Sequence, residues 1–479
     1  MTVRTADSLV SSLLYLGVGR AGVVCMNLVA TSCLAHALGA GNFGINSFAI
    51  SYVAYFLIVV NLGYETFLTR EIAYDMSRMR ELVGSMITMR LFIAFIMATL
   101  LLASITVFHL SPLAKIMILI QGINLFTTAS ALTCVYQGLQ RMRVVACREF
   151  MGGLCYVIGV VWLIRRPEDV VLAALLAAGT PILMNGTLFF HYASEFGLPH
   201  IRFPRREDFR LASRSMSYFW SVLMITITYN IHIVLLGLLR SDTDVGLFAV
   251  GWKLFNFSVV IPNLISTLFL PRIAGLTSNP AERARMAQIY MQTILICATP
   301  IAMFGGALIP QILIVLFGSA YLSAGSTVAL LMVNGLVVAV NIGFGVPLVA
   351  VGRQNAFLRV VAFGAAAGVL LNLLLIPHFG PEGAGAGTLV DEIVILAMFM
   401  REKTEVSISG TLSFGLRCMV AAVPAALAVH LIGSLPIMQG DPMAAIVAGG
   451  AVGLTIYVLI LHILRVDLMN FVADLRGLR

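Results

Sequence analysis

The chain has 479 residues, of which 60% are hydrophobic and 11% are charged, and it carries a formal net charge of +8. Soluble globular domains carry about 25% charged residues, so this composition excludes that class and indicates a membrane protein with many spans. The positive balance requires no nucleic-acid partner, because membrane topology accounts for it.

Apolar stretches of about 20 residues cross a ~30 Å hydrocarbon core and therefore mark candidate spans. We expect an all-α polytopic membrane protein with about 14 transmembrane helices. The predicted spans are residues 9–38, 43–62, 89–107, 113–136, 150–164, 170–190, 216–239, 245–270, 286–316, 326–349, 358–376, 383–400, 412–432 and 442–464.

The basic residues predict the orientation, because loops rich in Lys and Arg stay cytoplasmic. With the N-terminus inside, 24 of the 30 Lys and Arg residues fall on the cytoplasmic side and 4 on the outer side. The other two lie within spans. We therefore expect a multi-pass protein of the cell (inner) membrane, with both termini in the cytoplasm and with anionic membrane lipids as partners.

Two weak internal matches suggest that the chain repeats after six spans. Residues 43–49 (FGINSFA) resemble 245–249 (VGLFA), and residues 143–146 (RVVA) recur at 359–362. An even number of spans keeps both halves in the same orientation, an arrangement that transporters use around a cavity. We predict an N-terminal lobe at 1–200 (helices 1–6), a C-terminal lobe at 201–405 (helices 7–12), a central cavity, and helices 13–14 with a cytoplasmic tail at 406–479.

Two cations, Arg20 and Lys253, lie near the middle of predicted spans 1 and 8. An unpaired charge at that depth is costly and usually serves a polar cargo or a buried partner. One cation comes from each predicted lobe, as a shared anion site requires. The alternative is that Asp391 or Glu392, in span 12, neutralises them.

Polar residues share helix faces with these cations or line another predicted span, and they complete the candidate substrate-binding set. These are Asn27 and Thr31 beside Arg20, Asn256 beside Lys253, and the pair Asn334 and Asn341 in span 10. Glu392, Asp391 and His232 are the candidates for ion coupling or charge balancing.

Several short motifs, in order and spacing, are similar to those of a known family. They are AHALG at 35–39, NFG at 42–44, NLG at 61–63, TREIA at 69–73, DVGLF at 244–248, LFG at 316–318, IPHFG at 376–380 and GAGA at 383–386. Through them the chain resembles the polysaccharide transport family, the oligosaccharide flippases of the multidrug/oligosaccharidyl-lipid/polysaccharide superfamily. Family members often carry an acidic residue in the seventh helix, where this chain has Asn230 and His232.

The resemblance implies a flippase that moves undecaprenyl-pyrophosphate-linked oligosaccharides from the inner to the outer leaflet by alternating access, for surface polysaccharide synthesis. It implies a lipid-linked oligosaccharide as partner, and polysaccharide polymerase machinery as a further one. Within the superfamily, a lipid II-type flippase and a multidrug antiporter are alternatives. A membrane polysaccharide polymerase or ligase is the alternative from another class.

The residues predict no catalytic centre, no metal site and no cofactor. A GxxxxGK[ST] phosphate loop is absent from the sequence, as is an HExxH pair. We therefore expect a non-enzyme whose transport is driven by gradients, by the membrane potential or by removal of the product.

Overall fold

The computed structural model describes residues 6–276 and 279–464, and within it the side chains of residues 6–21, 221 and 439 are not described. The described part is helical and contains no strand. The chain divides into two compact units, Met1–Gly246 and Leu247–Arg479.

Among its described residues, the first unit holds nine helices and the first residues of a tenth. They are α1 (Ala6–Asn61), α2 (Tyr64–Tyr74), α3 (Met79–Val107), α4 (Pro112–Gly122), α5 (Asn124–Ala129), α6 (Thr133–Gly138), α7 (Met142–Leu163), α8 (Val170–Phe196), α9 (Arg206–Leu239) and α10 (Asp242–Ser258).

The remaining helices belong to the second unit. They are α11 (Val260–Gly275), α12 (Pro280–Ala307), α13 (Ile309–Phe317), α14 (Gly325–Ala350), α15 (Gln354–Arg401), α16 (Ile408–Ser434), α17 (Pro436–Gln439) and α18 (Pro442–Ile463). Short 3-10 turns at Met76–Arg78, Pro167–Asp169 and Ser319–Ala324 join some of them.

Several of these helices begin with a capping side chain followed by proline, which suits the first helical position. Ser111 Oγ accepts a hydrogen bond from Ala114 N at the start of α4. Asn279 and Asp441 cap α12 and α18 in the same way. These caps define helix starts inside long apolar regions, where hydropathy alone gives no boundary.

Twelve helical segments of the described chain are long and apolar enough to cross a membrane, against about fourteen spans predicted. The all-helical membrane fold is confirmed, whereas the count of fourteen stays a prediction. Each of two segments, Gly22–Tyr74 and Gln354–Arg401, overlaps two predicted spans. Each is interrupted by a glycine with positive φ, Gly39 in α1 and Gly380 in α15.

The chain reverses direction at Gly380, so α15 is a helical hairpin. A Cβ atom on Gly387 would lie 3.3 Å from the Asn372 side chain, and one on Gly368 would overlap the carboxylate of Asp391. Residues so far apart in sequence meet only if the two arms of α15 run antiparallel. Small residues at helix crossings let backbones approach closely, which is the common packing mode in membranes.

In the first unit, α9 packs on α1, α2 and α3. Ser215 Oγ donates to Leu62 O at 2.8 Å, and a Cβ on Gly63 would meet the backbone of Phe219. The first unit thus ends at Gly246, whereas the predicted N-terminal lobe ends at residue 200. The lobes predicted at 1–200 and 201–405 stay a prediction.

The second unit has its core around α12, α14, α15, α16 and α18. Alanines of α16 and glycines of α18 form a close crossing, where a Cβ on Gly449 would lie 3.4 Å from the Val429 side chain. Tyr457 OH donates to Ile296 O at 3.1 Å and joins α18 to α12. The helices predicted at 406–479, as far as they are described, pack within this unit.

Candidate functional site

A buried amide–carboxylate pair joins α14 to the second arm of α15. Asn341 Nδ2 donates to Glu392 Oε2 at 2.7 Å and to the Glu392 carbonyl oxygen at 2.9 Å. Both side chains are buried. The second unit therefore holds two of the predicted site residues in direct contact.

The neighbouring acid, Asp391, points toward the other arm of the same hairpin. It is buried against Gly368, where any Cβ atom would overlap its carboxylate, so only glycine admits it. Its Oδ1 atom has no hydrogen-bond partner among the described residues. Two consecutive acids thus face different helices, as their 100° separation on a helix requires.

No Lys or Arg whose side chain is described forms an ion pair with Asp391 or Glu392. The sequence left open whether these acids neutralise the two mid-span cations. In the described part of the chain, the Glu392 carboxylate instead accepts a hydrogen bond from the Asn341 side-chain amide. The site therefore contains acidic groups that are not used in a described salt bridge.

Asn334 lies two turns before Asn341 on α14 and is fully buried. Neither its oxygen nor its nitrogen has a hydrogen-bond partner among the described residues. Buried amides are almost always satisfied, so an unsatisfied one needs a partner such as water or a ligand. The predicted pair on α14 is thus buried in the unit core.

Lys253 has an exposed side chain on α10, and the described residues offer it neither a hydrogen bond nor an ion pair. Asn256 is half-buried on the same helix, and its side-chain amide donates a hydrogen bond to the carbonyl oxygen of Trp252, one turn earlier, at 2.8 Å. This bond uses one of the two N–H donors of the Asn256 amide and leaves the other donor and the oxygen for a ligand. Lys253 is accordingly the stronger candidate of the two for binding an anion.

An apolar groove with a volume of about 570 Å³ opens beside this part of α10. Helices α10 to α14 and α18 form its walls, and Leu254, Phe257 and Ile261 contribute from the α10–α11 side. Lys253 lies one turn before Phe257, so the cation and the groove lie on neighbouring surfaces of one helix. This groove was not predicted from the sequence, because helices distant in sequence build it.

On the first helix, Arg20 lies within α1 but its side chain is outside the described residues. Asn27 is exposed. Thr31 is buried, and its hydroxyl donates to Asn27 O at 2.7 Å. The predicted polar stripe therefore continues from an exposed position into a buried one.

His232 is buried in α9, in the first unit. The adjacent polar residue, Asn230, donates to Thr226 O at 3.3 Å.

A further charged residue in the first unit was not singled out from the sequence. Arg90, counted on the cytoplasmic side at the start of the predicted span 89–107, is only 2% exposed. Its guanidinium binds Asn61 Oδ1, donates to Ala131 O at 3.0 Å and lies 5.8 Å from the ring centre of Tyr64. Its position among methionine, isoleucine and leucine neighbours was the only sequence signal of burial.

Arg90 reaches Ala131 because the fourth predicted span is broken into the short helices α4, α5 and α6. A break frees carbonyl groups from their helical partners, and irregular backbone at membrane depth needs other donors. Arg90 supplies one. Asn185 supplies another by donating to Thr127 O at 3.2 Å.

Comparison with known proteins places the chain in a family. Residues 9–277 match the family of polysaccharide biosynthesis proteins, which is more than half of the chain. The chain belongs to this family. The resemblance predicted from the sequence motifs is thereby confirmed.

Curated members of this group of proteins are distant relatives. This family member is 21% identical over 351 residues to the "Putative O-antigen transporter" of Shigella dysenteriae, covering 72% of this chain and 87% of that protein. It is 24% identical to the "Probable flippase AglR" of Haloferax volcanii, covering 50% of this chain and 49% of that protein.

Solved structures show the same fold. The lipid II flippase MurJ, in an inward closed conformation, matches 95% of this chain and 99% of its own with a TM-score of 0.78 at 12% identity. A multidrug resistance MATE family transporter of the MOP superfamily, facing inward, matches 82% of this chain and 95% of its own with a TM-score of 0.62 at 13% identity. This polysaccharide biosynthesis family protein thus has the multi-span helical fold of those membrane transporters.

Proposed function

We propose that this protein is a flippase that moves an undecaprenyl-pyrophosphate-linked oligosaccharide from the inner to the outer leaflet by alternating access. One observation carries the proposal: on α10 an exposed lysine, Lys253, lies one turn from a large apolar groove. The cargo has a pyrophosphate and a polyprenyl chain joined directly, so a binding surface needs a cation beside an apolar channel.

The energetics favour such a surface. Transferring an unpaired ion into a medium of low dielectric constant costs on the order of tens of kcal/mol by ion solvation, so the pyrophosphate needs fixed cations along its path. Arg20 and Lys253 are the mid-span cations available in the sequence. The relative named an O-antigen transporter, which this chain matches over 87% of that protein, supports the same class of cargo.

The remaining candidate residues have roles that follow from their burial. Asn27 and Asn256 share their helices with the two cations and are at least partly exposed, so they can bind sugar hydroxyls, whereas Thr31, Asn334 and Asn341 are buried. Since Asn341 binds Glu392 directly, the Asn341–Glu392 pair with Asp391 is the candidate for ion coupling. His232 is a second titratable candidate, in the first unit.

The orientation forms part of the proposal. The 24 to 4 distribution of Lys and Arg supports cytoplasmic termini in the inner membrane. With the membrane potential negative inside, outward movement of an anion gains about 2.3 kcal/mol per charge per 100 mV. A pyrophosphate headgroup therefore moves outward with the potential.

The test is a deletion strain of the native host, complemented with variants. Deletion should leave lipid-linked oligosaccharide in the inner leaflet, while Arg20→Ala and Lys253→Ala should fail to restore surface polysaccharide although the protein inserts. Arg165→Ala is the matched control, because Arg165 is exposed at a predicted outer end. It should restore the polymer.

Other outcomes identify the alternatives. Unpolymerised units in the outer leaflet of the deletion strain would indicate a polymerase or ligase instead. Normal polysaccharide in both cation variants would reject the anion site. Purified protein in liposomes, tested with lipid II and with cationic drugs, separates the remaining cargo classes.

A further inference from the structure

A polar cavity lies in the first unit, and none of the candidate substrate-binding and coupling residues lines it. It has a volume of about 180 Å³ and forms where the start of α3 meets the linker between α8 and α9 and the first turns of α9. Four arginines line it, and we call it the arginine pocket: Arg78, Arg202, Arg210 and Arg214.

One wall of the arginine pocket is held rigidly by a buried acid. The Asp208 carboxylate, 1% exposed, accepts hydrogen bonds from Ser85 Oγ at 2.5 Å and from Arg205 N at 2.7 Å. Arg202 Nη2 lies 3.4 Å from the same carboxylate, and Arg202 N donates to Thr88 Oγ1 at 3.4 Å. These bonds fix the linker on α3, so the pocket is preformed.

The charges of the arginine pocket are only partly balanced from within. Three acids line it against the four arginines. Arg78 lies 3.8 Å from Glu81, Arg202 is paired with Asp208, and Glu207 forms no ion pair within the described chain. Arg210 and Arg214, one turn apart on α9, are exposed, and no acid of the described chain lies within ion-pair distance of either. Two guanidinium groups therefore face the cavity with donors available for an anion.

Exposed apolar side chains surround these arginines. The linker carries Leu198, Ile201 and Phe203, and Phe203 is 94% exposed. Phe209, half exposed on α9, packs edge-to-face on Phe92 of α3, with ring centres 6.3 Å apart. Basic residues interleaved with exposed apolar ones are typical of a segment that lies at the headgroup level of a bilayer.

The depth of the arginine pocket agrees with that interpretation. Arg78 stands at the start of the apolar segment Met76–Val107, a candidate membrane span. A cavity at the end of a span lies where lipid headgroups are found. The distribution of basic residues predicts that this is the inner leaflet.

We propose that the arginine pocket binds the phosphate of an anionic membrane phospholipid, with Phe203 inserted at the boundary of the acyl chains. The phosphate diester receives hydrogen bonds from Arg210 and Arg214, which Arg–phosphate geometry favours. Free phosphate and the pyrophosphate of a lipid-linked substrate share this chemistry. The exposed apolar side chains of the linker favour a phospholipid, because acyl chains can contact them. The experiment separates the phospholipid from free phosphate and from the lipid-linked substrate.

The experiment uses the full-length protein in detergent, with binding of dihexanoyl phosphatidylglycerol followed by native mass spectrometry. Arg210→Gln/Arg214→Gln should bind it about 30-fold more weakly, since each cation near a membrane surface contributes roughly a factor of five. The control Arg401→Gln/Arg417→Gln removes two exposed arginines elsewhere and should bind as the original protein does. Phe203→Ser should weaken binding of long-chain phosphatidylglycerol and leave the dihexanoyl lipid unaffected.

Equal binding of phosphatidylcholine and phosphatidylglycerol would overturn the proposal, as would unchanged binding by the Arg210/Arg214 double variant. Displacement of the lipid by inorganic phosphate at equal concentration would identify a free phosphate site instead. If the Arg210→Gln/Arg214→Gln variant lost binding of undecaprenyl pyrophosphate but retained binding of phosphatidylglycerol, the pocket would instead be a docking site for the substrate. None of these outcomes depends on whether the protein transports oligosaccharides.

Discussion

Gly44 of α1 and Gly246 of α10 pack backbone against backbone. A Cβ atom on Gly44 would lie 2.7 Å from Gly246 N and overlap Asp242 O, and a Cβ on Gly246 would lie 2.8 Å from the carbonyl carbon of Ala40. Gly44 and Gly246 occupy matching positions in the predicted repeat, as do Ala40 and Asp242. The contact is therefore symmetric, because each glycine packs on the backbone of the other helix at an equivalent position. The sequence match between residues 43–44 and 245–246 did not predict this contact.

The first prediction follows from this contact. Gly44→Ala and Gly246→Ala place a methyl group where backbone atoms now lie, and backbone cannot move aside as a flexible side chain does. We expect each to lower the free energy of unfolding by about 2–4 kcal/mol. Thermal unfolding followed by size-exclusion chromatography in detergent measures it.

Gly186→Ala is the control for that measurement, because nothing lies within 4 Å of a Cβ at this helical position. It should leave stability unchanged or raise it by about 0.5–1 kcal/mol, as alanine does relative to glycine in a helix. Equal melting temperatures for all three variants would contradict the backbone contact.

The second prediction concerns Arg90. Removing this buried guanidinium leaves Asn61 Oδ1 and the free carbonyl of Ala131 without a donor. We expect Arg90→Met to cost about 3–5 kcal/mol of stability, since an unsatisfied buried polar group loses its full desolvation energy. Arg143→Met, at an exposed arginine nearby, should stay within about 0.5 kcal/mol of the original protein.

Thermal unfolding separates these two variants as well. A small loss of stability in Arg90→Met would mean that water donates hydrogen bonds to Asn61 Oδ1 and Ala131 O in place of the guanidinium. A large effect at Arg143 would mean that methionine on the surface, rather than the lost network, disturbs the protein.

The fold was largely predictable from composition and charge. Every segment that is apolar and long enough in the described structure overlaps one or two of the predicted spans, because crossing the hydrocarbon core requires about 20 apolar residues whatever the packing. The hairpin in α15 was anticipated as two spans on either side of IPHFG. Its joint at Gly380 depends on a positive φ, which glycine permits at little cost.

The site was less predictable, since it depends on register. Asn341 and Glu392 were each selected as polar residues within spans, yet their hydrogen bond depends on how α14 and α15 align side by side. The burial of Arg90, at the start of the predicted span 89–107, was not predicted, because the carbonyl groups that it binds come from a break in another span. The carbonyl groups freed by that break are not visible in a sequence of apolar and small residues.

The third prediction separates a structural role of Glu392 from a coupling role. Glu392→Gln keeps an oxygen that accepts the hydrogen bond from Asn341 and removes the ionisable group. We expect unchanged thermal stability and loss of transport in proteoliposomes. Glu392→Leu should lower stability by about 1–3 kcal/mol, because the Asn341 amide then loses its carboxylate acceptor and keeps only the backbone carbonyl of residue 392.

Full transport by Glu392→Gln would reject ion coupling at this residue and leave it as a structural partner of Asn341. The neighbouring variant Asp391→Asn provides the comparison, because Asp391 faces Gly368 instead of Asn341. Loss of transport only in Asp391→Asn would move the coupling role to that residue.

The fourth prediction tests the apolar groove with a matched pair of glycines. Gly450 lines the groove and Gly306 does not, and nothing lies within 4 Å of a Cβ at either. Gly450→Phe fills the groove with a ring, so we expect lower affinity for a polyprenyl-linked substrate and slower flipping at an unchanged melting temperature. Gly306→Phe adds the same ring outside the groove and should flip at the original rate. Equal rates for both variants, with the ring in place, would show that the lipid chain does not use this groove, while the Lys253 variants would still report on the headgroup.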